Sequence, residues 1–219
     1  MGAMATLKEE TRDDHVETER TDLSRSMVKG QMRRSHYVMQ LVAYARIHRA
    51  LELRVATQQG ELSDLADILG PKSEMALSDL AALQASWQPA GDLEEVLETI
   101  EADIETAGIP ALLGALYVME GSGLGASFLL PRLRESLSLR EDESRYYNGY
   151  GAETFARWKR FGVAVEAQLV CEEAVSEAVL AARALFCNVR RVFELIWDEE
   201  RTVLSHRESG DVRPSYAPL

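Results

Sequence analysis

His15 and a cluster of glycines on a later apolar segment are the residues of this chain best suited to chemistry. His15 lies in the stretch from Leu7 to Glu19, where steps of four put Leu7, Thr11, His15 and Glu19 on one stripe of a helix. Glu19, one turn on, can approach the imidazole and fix its ring, leaving the other nitrogen free for a metal. Lys8 and Arg12, about two turns and one turn back, can meet an anion beside it. The plain alternative is a surface histidine among charged neighbours.

Gly121, Gly123 and Gly125 interrupt residues 111–130, which otherwise read as an apolar helix carrying Tyr117 and Ser122. Each glycine inside a helix costs about 1 kcal/mol relative to alanine, so three so close together need a reason. Either the helix packs tightly on another, or its thinned backbone lies against a flat ligand. The order is G-x-G-x-G with no strand leading in, which excludes the usual dinucleotide loop.

Other helical-bundle chemistries are missing. None of His15, His36, His48 and His206 has a glutamate three residues before it, so the E-x-x-H pairs of carboxylate di-iron bundles are absent. H-E-x-x-H and G-x-S-x-G do not occur either. Cys171 and Cys187 form neither a metal-type pair nor a disulfide framework, and we expect reduced thiols in a cytoplasmic protein.

The elements that must position these residues all read as helices. Of 219 residues, 46% are hydrophobic and 27% charged, which fits one soluble globular domain. The formal net charge of −12 disfavours nucleic acid and anionic membrane as partners, so an anionic ligand needs a local basic cluster. We find no segment that looks like an uninterrupted membrane span. Thr6 and Glu9 form a capping-box pattern for a first helix over 6–19, and a short helix should follow over 22–28, stopped by Gly30. The periodicity predicts a long helix over 33–57, shorter ones to about residue 84, and one over 92–106 capped by Asp92. The glycine-bearing helix comes next and should end or kink at Pro131, followed by a loop over 147–151 and helices over 153–167 and 172–204. The expected organisation is a possible tag or loose start at 1–5, a helical domain over 6–204, and a flexible tail over 205–219. The fold class is all-α, a single-domain helical bundle.

With these residues in place, the chain resembles the heme oxygenase family, above all its bacterial branch. The opening is similar to the family's first helix, with leucine, lysine and glutamate, then threonine, and a histidine seven residues after the lysine. Val28-Lys29-Gly30-Gln31 resembles the family's lysine-glycine-glutamine segment, and the stretch from Leu116 to Leu129 resembles its distal helix. The match is loose over about 60–107 and otherwise spans most of the chain.

The resemblance implies a heme oxygenase-like bundle in which His15 is the proximal ligand of heme iron, oriented by Glu19. Gly121, Ser122 and Gly125 would form the catalytic distal wall, with Tyr117 beside the heme. Lys8 matches the family's propionate-binding lysine, and Arg157-Trp158-Lys159-Arg160 falls where the family places another basic stretch, with Lys159 fitting best and Arg160 second. Phe186 and Asn188 resemble the final helix that closes the pocket, although Phe186 can equally be plain core. The implied reaction cleaves heme, which is both substrate and cofactor, with O2 to biliverdin, carbon monoxide and ferrous iron. Electrons would come from an external reductase or ferredoxin-type donor, since the chain carries no flavin or nicotinamide motif. A neutral imidazole ligand suits that course better than a thiolate.

Two positions depart from the family pattern. Ser122 stands where many members carry an aspartate that anchors water, and Ala126 replaces a second glycine. Both bear on proton delivery and on the ring carbon attacked, with Glu120 either a partial replacement for the missing acid or turned away by helix geometry. They keep open a non-catalytic heme carrier or sensor of the same fold. A thiaminase-like bundle would need a pocket cysteine, and neither cysteine has an activating motif beside it.

Overall fold

The structure is a computed structural model that describes residues 2–58, 60 and 62–208, with side chains at all of these except 63, 64, 67 and 200–208. Every extended element among the described residues is helical: α1 Ala3–Glu10, α2 Arg12–Glu19, α3 Asp22–Lys29, α4 Arg34–Thr57, α5 Ser63–Ile68, α6 Lys72–Ala82, α7 Gly91–Thr106, α8 Ile109–Leu137, α9 Arg145–Asn148, α10 Thr154–Gln168 and α11 Glu172–Glu208. Helix α8 packs chiefly on α11, and α4 packs on α6 and α7. Leu7, Leu23, Leu41, Leu51, Leu97 and Leu113 are among the side chains buried where these helices meet.

The first helix differs from its expected form. It begins at Ala3, within the expected loose start, because the Glu166 carboxylate accepts the backbone N–H groups of Ala3 and Met4 at 2.8 and 2.9 Å. That distant carboxylate does the work expected of a Thr6–Glu9 capping box. Thr6 instead donates its hydroxyl to the Gly2 carbonyl inside the first turn. The helix then breaks at Thr11, whose buried hydroxyl bonds the Leu7 carbonyl at 2.7 Å. A break there leaves α2 free to turn its own face, the one that carries His15.

Gly30 ends α3 as expected, in the left-handed conformation at φ 65°. Asp92, expected as a cap, lies in the first turn of α7 and pairs with Arg191 at 3.3 Å. Pro131 does not end α8: the helix continues for six residues beyond it to Leu137, held by the buried leucines at 130, 133 and 137. This helix is long and apolar enough to cross a membrane by length and composition, contrary to expectation. Its buried leucines, methionine and valine pack within the bundle, chiefly on α11, while Phe128 is exposed. The expected loop after residue 146 contains the last residues of α9, which is capped by Asp79: its carboxylate accepts the N–H groups of Arg145 and Tyr146 at 2.8 and 2.9 Å. Helix α11 reaches Glu208, past the expected start of the tail, and residues 209–219 lie outside the described residues, as does Met1.

Candidate functional site

A cavity of about 500 Å³ opens between α1 and α2 on one side and α8 on the other, with α3, α4, α6, α9, α10 and α11 completing its walls. His15, the one histidine lining it among the described residues, stands at its edge with the side chain 55% exposed. Glu19 Oε2 is 3.8 Å from His15 Nδ1, so the four-residue step does bring the carboxylate to the ring. The edge of the Phe186 ring meets the imidazole face, with centroids 5.8 Å apart and planes at 82°. Lys8 and Arg12 lie on the same rim.

Across from them runs the glycine-bearing part of α8. Tyr117, Gly121, Ser122, Gly123 and Gly125 all line the cavity. The glycines serve different ends. A Cβ at Gly114 would stand 2.0 Å from the Ala178 carbonyl oxygen, so Gly114 is where α8 and α11 cross backbone to backbone. A Cβ at Gly121 would only touch the Trp158 ring at 3.4 Å, and one at Gly125 would meet nothing within 4 Å. Tight packing therefore explains Gly114, while Gly121 and Gly125 leave bare backbone on an open cavity. Ser122 donates its hydroxyl to the Met119 carbonyl at 2.7 Å, a bond back to its own helix that leaves its oxygen lone pairs free to accept. Burial raises the Tyr117 phenol above its usual range, opposed by a hydrogen bond with Thr11.

Lys159 and Arg160 do not line the cavity. They are exposed, and the Lys159 ammonium sits 4.6 Å over the Phe155 ring. Trp158, Phe161 and Val165 form the inward face of α10, and successive residues turn by about 100°. Trp158 is the residue of that stretch that reaches the cavity, stacked on Phe161 at 5.4 Å. Asn188 also faces elsewhere, onto a separate groove between α7, α8 and α11. Cys171 and Cys187 are exposed, and neither lines the cavity.

Two features of the site do not follow from the sequence reading, and a third, Glu120, takes the outward of its two expected orientations. Lys72 comes from the first residue of α6 and lines the cavity with its side chain 4% exposed. Tyr44, Tyr146 and Tyr147 form an aromatic wall in which Tyr44 and Tyr146 stack at 5.0 Å, and Tyr147 donates a short hydrogen bond to Gln40. Glu120 points away from the cavity: it lies 3.8 Å from the Lys72 ammonium and accepts from the Tyr150 hydroxyl at 3.3 Å. Burial raises the Glu120 carboxyl and lowers the Lys72 ammonium, each shift opposed by the other's charge. Only the inward face of α10 could have been read from the chain, as the i, i+3, i+7 spacing of Trp158, Phe161 and Val165.

Comparison with known proteins agrees with this architecture. The family model described as heme oxygenase matches residues 1–195. Among solved structures, the heme oxygenase of Leptospira interrogans is 18% identical over 89% of this chain and 99% of its own, with a TM-score of 0.77. Heme oxygenase-1 of the cyanobacterium Synechocystis, solved in complex with heme, is 15% identical over 96% of this chain and 99% of its own, also with a TM-score of 0.77. A domain of unknown function with a heme oxygenase-like fold from Shewanella denitrificans is 15% identical over 90% and 93%, with a TM-score of 0.72. At these identities the likeness shows the fold. No curated protein matches the chain.

Proposed function

This chain belongs to the heme oxygenase family, and from that premise we propose that it takes heme into the 500 Å³ cavity with His15 as proximal ligand and cleaves it, with O2 and external electrons, to biliverdin, carbon monoxide and ferrous iron. One observation carries the reading: the cavity's single histidine, among the described residues, and the bare glycine backbone of α8 line the same space from different helices.

The lining suits a flat, apolar molecule with two carboxylates. Its walls are mostly aliphatic and aromatic, and its rim cations are Lys8 and Arg12. Bound heme supplies the iron that holds oxygen and the ring that is opened. His15 offers Nε2 while Glu19 holds the Nδ1 side, a second partner that fixes the ring and raises its basicity as a ligand. Gly121 and Gly125 let the α8 backbone come close to the ring face, crowding whatever binds there. Ser122 keeps acceptor capacity for an ordered water that delivers protons. Lys8 and Arg12 meet the carboxylates, and reducing equivalents come from a reductase or ferredoxin-type donor in the cytoplasm.

The experiment is hemin titration followed by aerobic turnover with ascorbate or a reductase, the product identified chromatographically. We expect a Soret band, an axial-nitrogen signature in resonance Raman, and a green bilin product. In His15→Ala the signature should vanish and turnover fall at least about a hundredfold. Retention of the axial-nitrogen signature in that variant overturns the reading. The bond from Ser122 to its own helix, in place of a carboxylate, favours one second reading, a heme carrier or sensor. Hemin that binds but survives the reductant unchanged supports it.

A further inference from the structure

Lys72 is the one buried cation on the cavity wall that heme binding at the rim leaves unused. Glu120, Tyr150 and Gly123 lie close to its ammonium, and its charge also acts on His48. Glu120 Oε2 lies 3.8 Å from the ammonium, longer than a hydrogen bond, so the contact is electrostatic and the ammonium's three N–H donors are not spent on it. The Tyr150 ring centroid is 5.0 Å away. On the cavity side stands Gly123, where a Cβ would come within 2.7 Å of Nζ. Gly123 thus has its own reason to be glycine: it opens a gap in α8 through which a charged group faces the cavity.

The cluster behind it is built to hold that charge still. Glu120 accepts from Tyr150, whose hydroxyl also accepts the Gly70 N–H at 2.9 Å. Arg157 stacks 4.5 Å over the same ring and donates to the Ile68 carbonyl at 2.7 Å. Ser73, next to Lys72, is fixed by the Glu52 carboxylate through its N–H at 2.9 Å and through its hydroxyl. Carboxylates lie behind the ammonium, and among the described residues none lines the cavity in front of it on α8.

We propose that Lys72, steadied by Glu120 and admitted by Gly123, is an anion-facing residue of the α8 wall that holds negative charge on small ligands bound to the heme opposite His15. It is a positioning charge, separate from the rim cations that meet the heme carboxylates, and it rests on the heme reading above. In a desolvated site such a charge discriminates anionic from neutral ligands far better than it could in water.

The test compares azide and imidazole binding to the ferric hemin complex of the unmodified protein and of Lys72→Met. Azide affinity should fall about tenfold while imidazole affinity stays within about twofold. Hemin affinity should stay within about threefold. Because Lys72→Met leaves Glu120 buried without its partner, the neutral pair Lys72→Met with Glu120→Gln carries the same comparison should the single variant fail to fold. Gly123→Ala, which must push the ammonium aside, should reproduce the loss with both charges retained. Azide affinity that is unchanged, or that moves in step with imidazole, overturns the role of Lys72. A tenfold loss of hemin affinity overturns it too, since Lys72 would then serve the carboxylates. An unmodified protein that shows no Soret band with hemin overturns the proposed function itself.

Discussion

The two walls of the cavity are built by different physics. The His15 wall is local and exposed: histidine and glutamate are one helical turn apart, both side chains are more than half exposed, and one 3.8 Å contact joins them. The α8 wall is assembled from afar: Ser122 and Gly125 on its surface are exposed, while the Lys72 and Glu120 side chains behind it are 4% and 11% exposed. Its glycines meet Trp158 of α10, Lys72 of α6 and Ala178 of α11, and the ion pair behind it joins residues 48 positions apart. A wall resting on one helical turn can adjust to what it binds, whereas one braced by neighbouring helices and a buried ion pair fixes the shape that the ligand must fit.

The sharpest way to break this contrast is at Gly114, where α8 crosses α11 and sets the spacing between the walls. A methyl group there must displace the Ala178 backbone, because its nearest neighbour is a carbonyl oxygen 2.0 Å away rather than a flexible side-chain end. Gly114→Ala should destabilise the fold by the upper end of about 1–3 kcal/mol. For a chain of this length that lowers Tm by roughly 6–12 °C. Calorimetry checks it. Gly125→Ala, facing open space, should leave Tm unchanged or slightly raised, as alanine is the better helix former. Equal losses at both positions would mean that the glycines are alike and the division between packing and cavity glycines is wrong.

The same division explains what could be read from the chain. His15, Glu19, Lys8 and the helix boundary at Gly30 follow from spacing along one segment, and so does the order of helices, since the apolar period survives in each. Lys72 and Glu120 are out of reach of such reasoning: a lysine after Gly70-Pro71 looks like any solvated helix start, and its burial depends on Glu120 of α8 and on Tyr150, just past α9, closing over it. The α1 cap is hidden likewise, with Glu166 more than 160 residues from the amides it holds. Lys159 lies off the cavity for a different reason: the inward face of α10 belongs to Trp158 and Phe161, and a one-residue step turns a side chain to another face.

A buried histidine of α4 should carry part of the pH response of stability: His48 has its Nε2 3.0 Å from the Tyr146 hydroxyl. Burial, with help from the Lys72 charge, holds its pKa well below the ordinary 6.5. In the unfolded chain the imidazole takes up a proton as pH falls through 6.5, while the folded protein resists that uptake. The stability contribution is therefore complete above that pH and is lost below it, at up to about 1.4 kcal/mol per pH unit. Denaturant melts of the parent and of His48→Gln between pH 7 and 5 test this: the difference between the two should shrink as pH falls. A constant difference would place the proton uptake elsewhere.

The smallest expected effect sharpens the contrast from the exposed side. Lys8 lines the cavity rim and Lys159 lies over Phe155 away from it. An exposed ammonium meeting a carboxylate contributes about 0.2–1 kcal/mol, so Lys8→Ala should weaken hemin binding about two- to fivefold. The loss should shrink as salt is raised, because a rim charge is screened. Lys159→Ala should leave hemin affinity within error, with no dependence on salt. If Lys159 instead matched Lys8, α10 would have to turn in the complex so that Trp158 gave up its place on the wall. Stacking of Trp158 on Phe161, which is almost fully buried, opposes that rotation. The rim cations would then belong to Lys8 and Arg12 alone, on the same short helices that present His15.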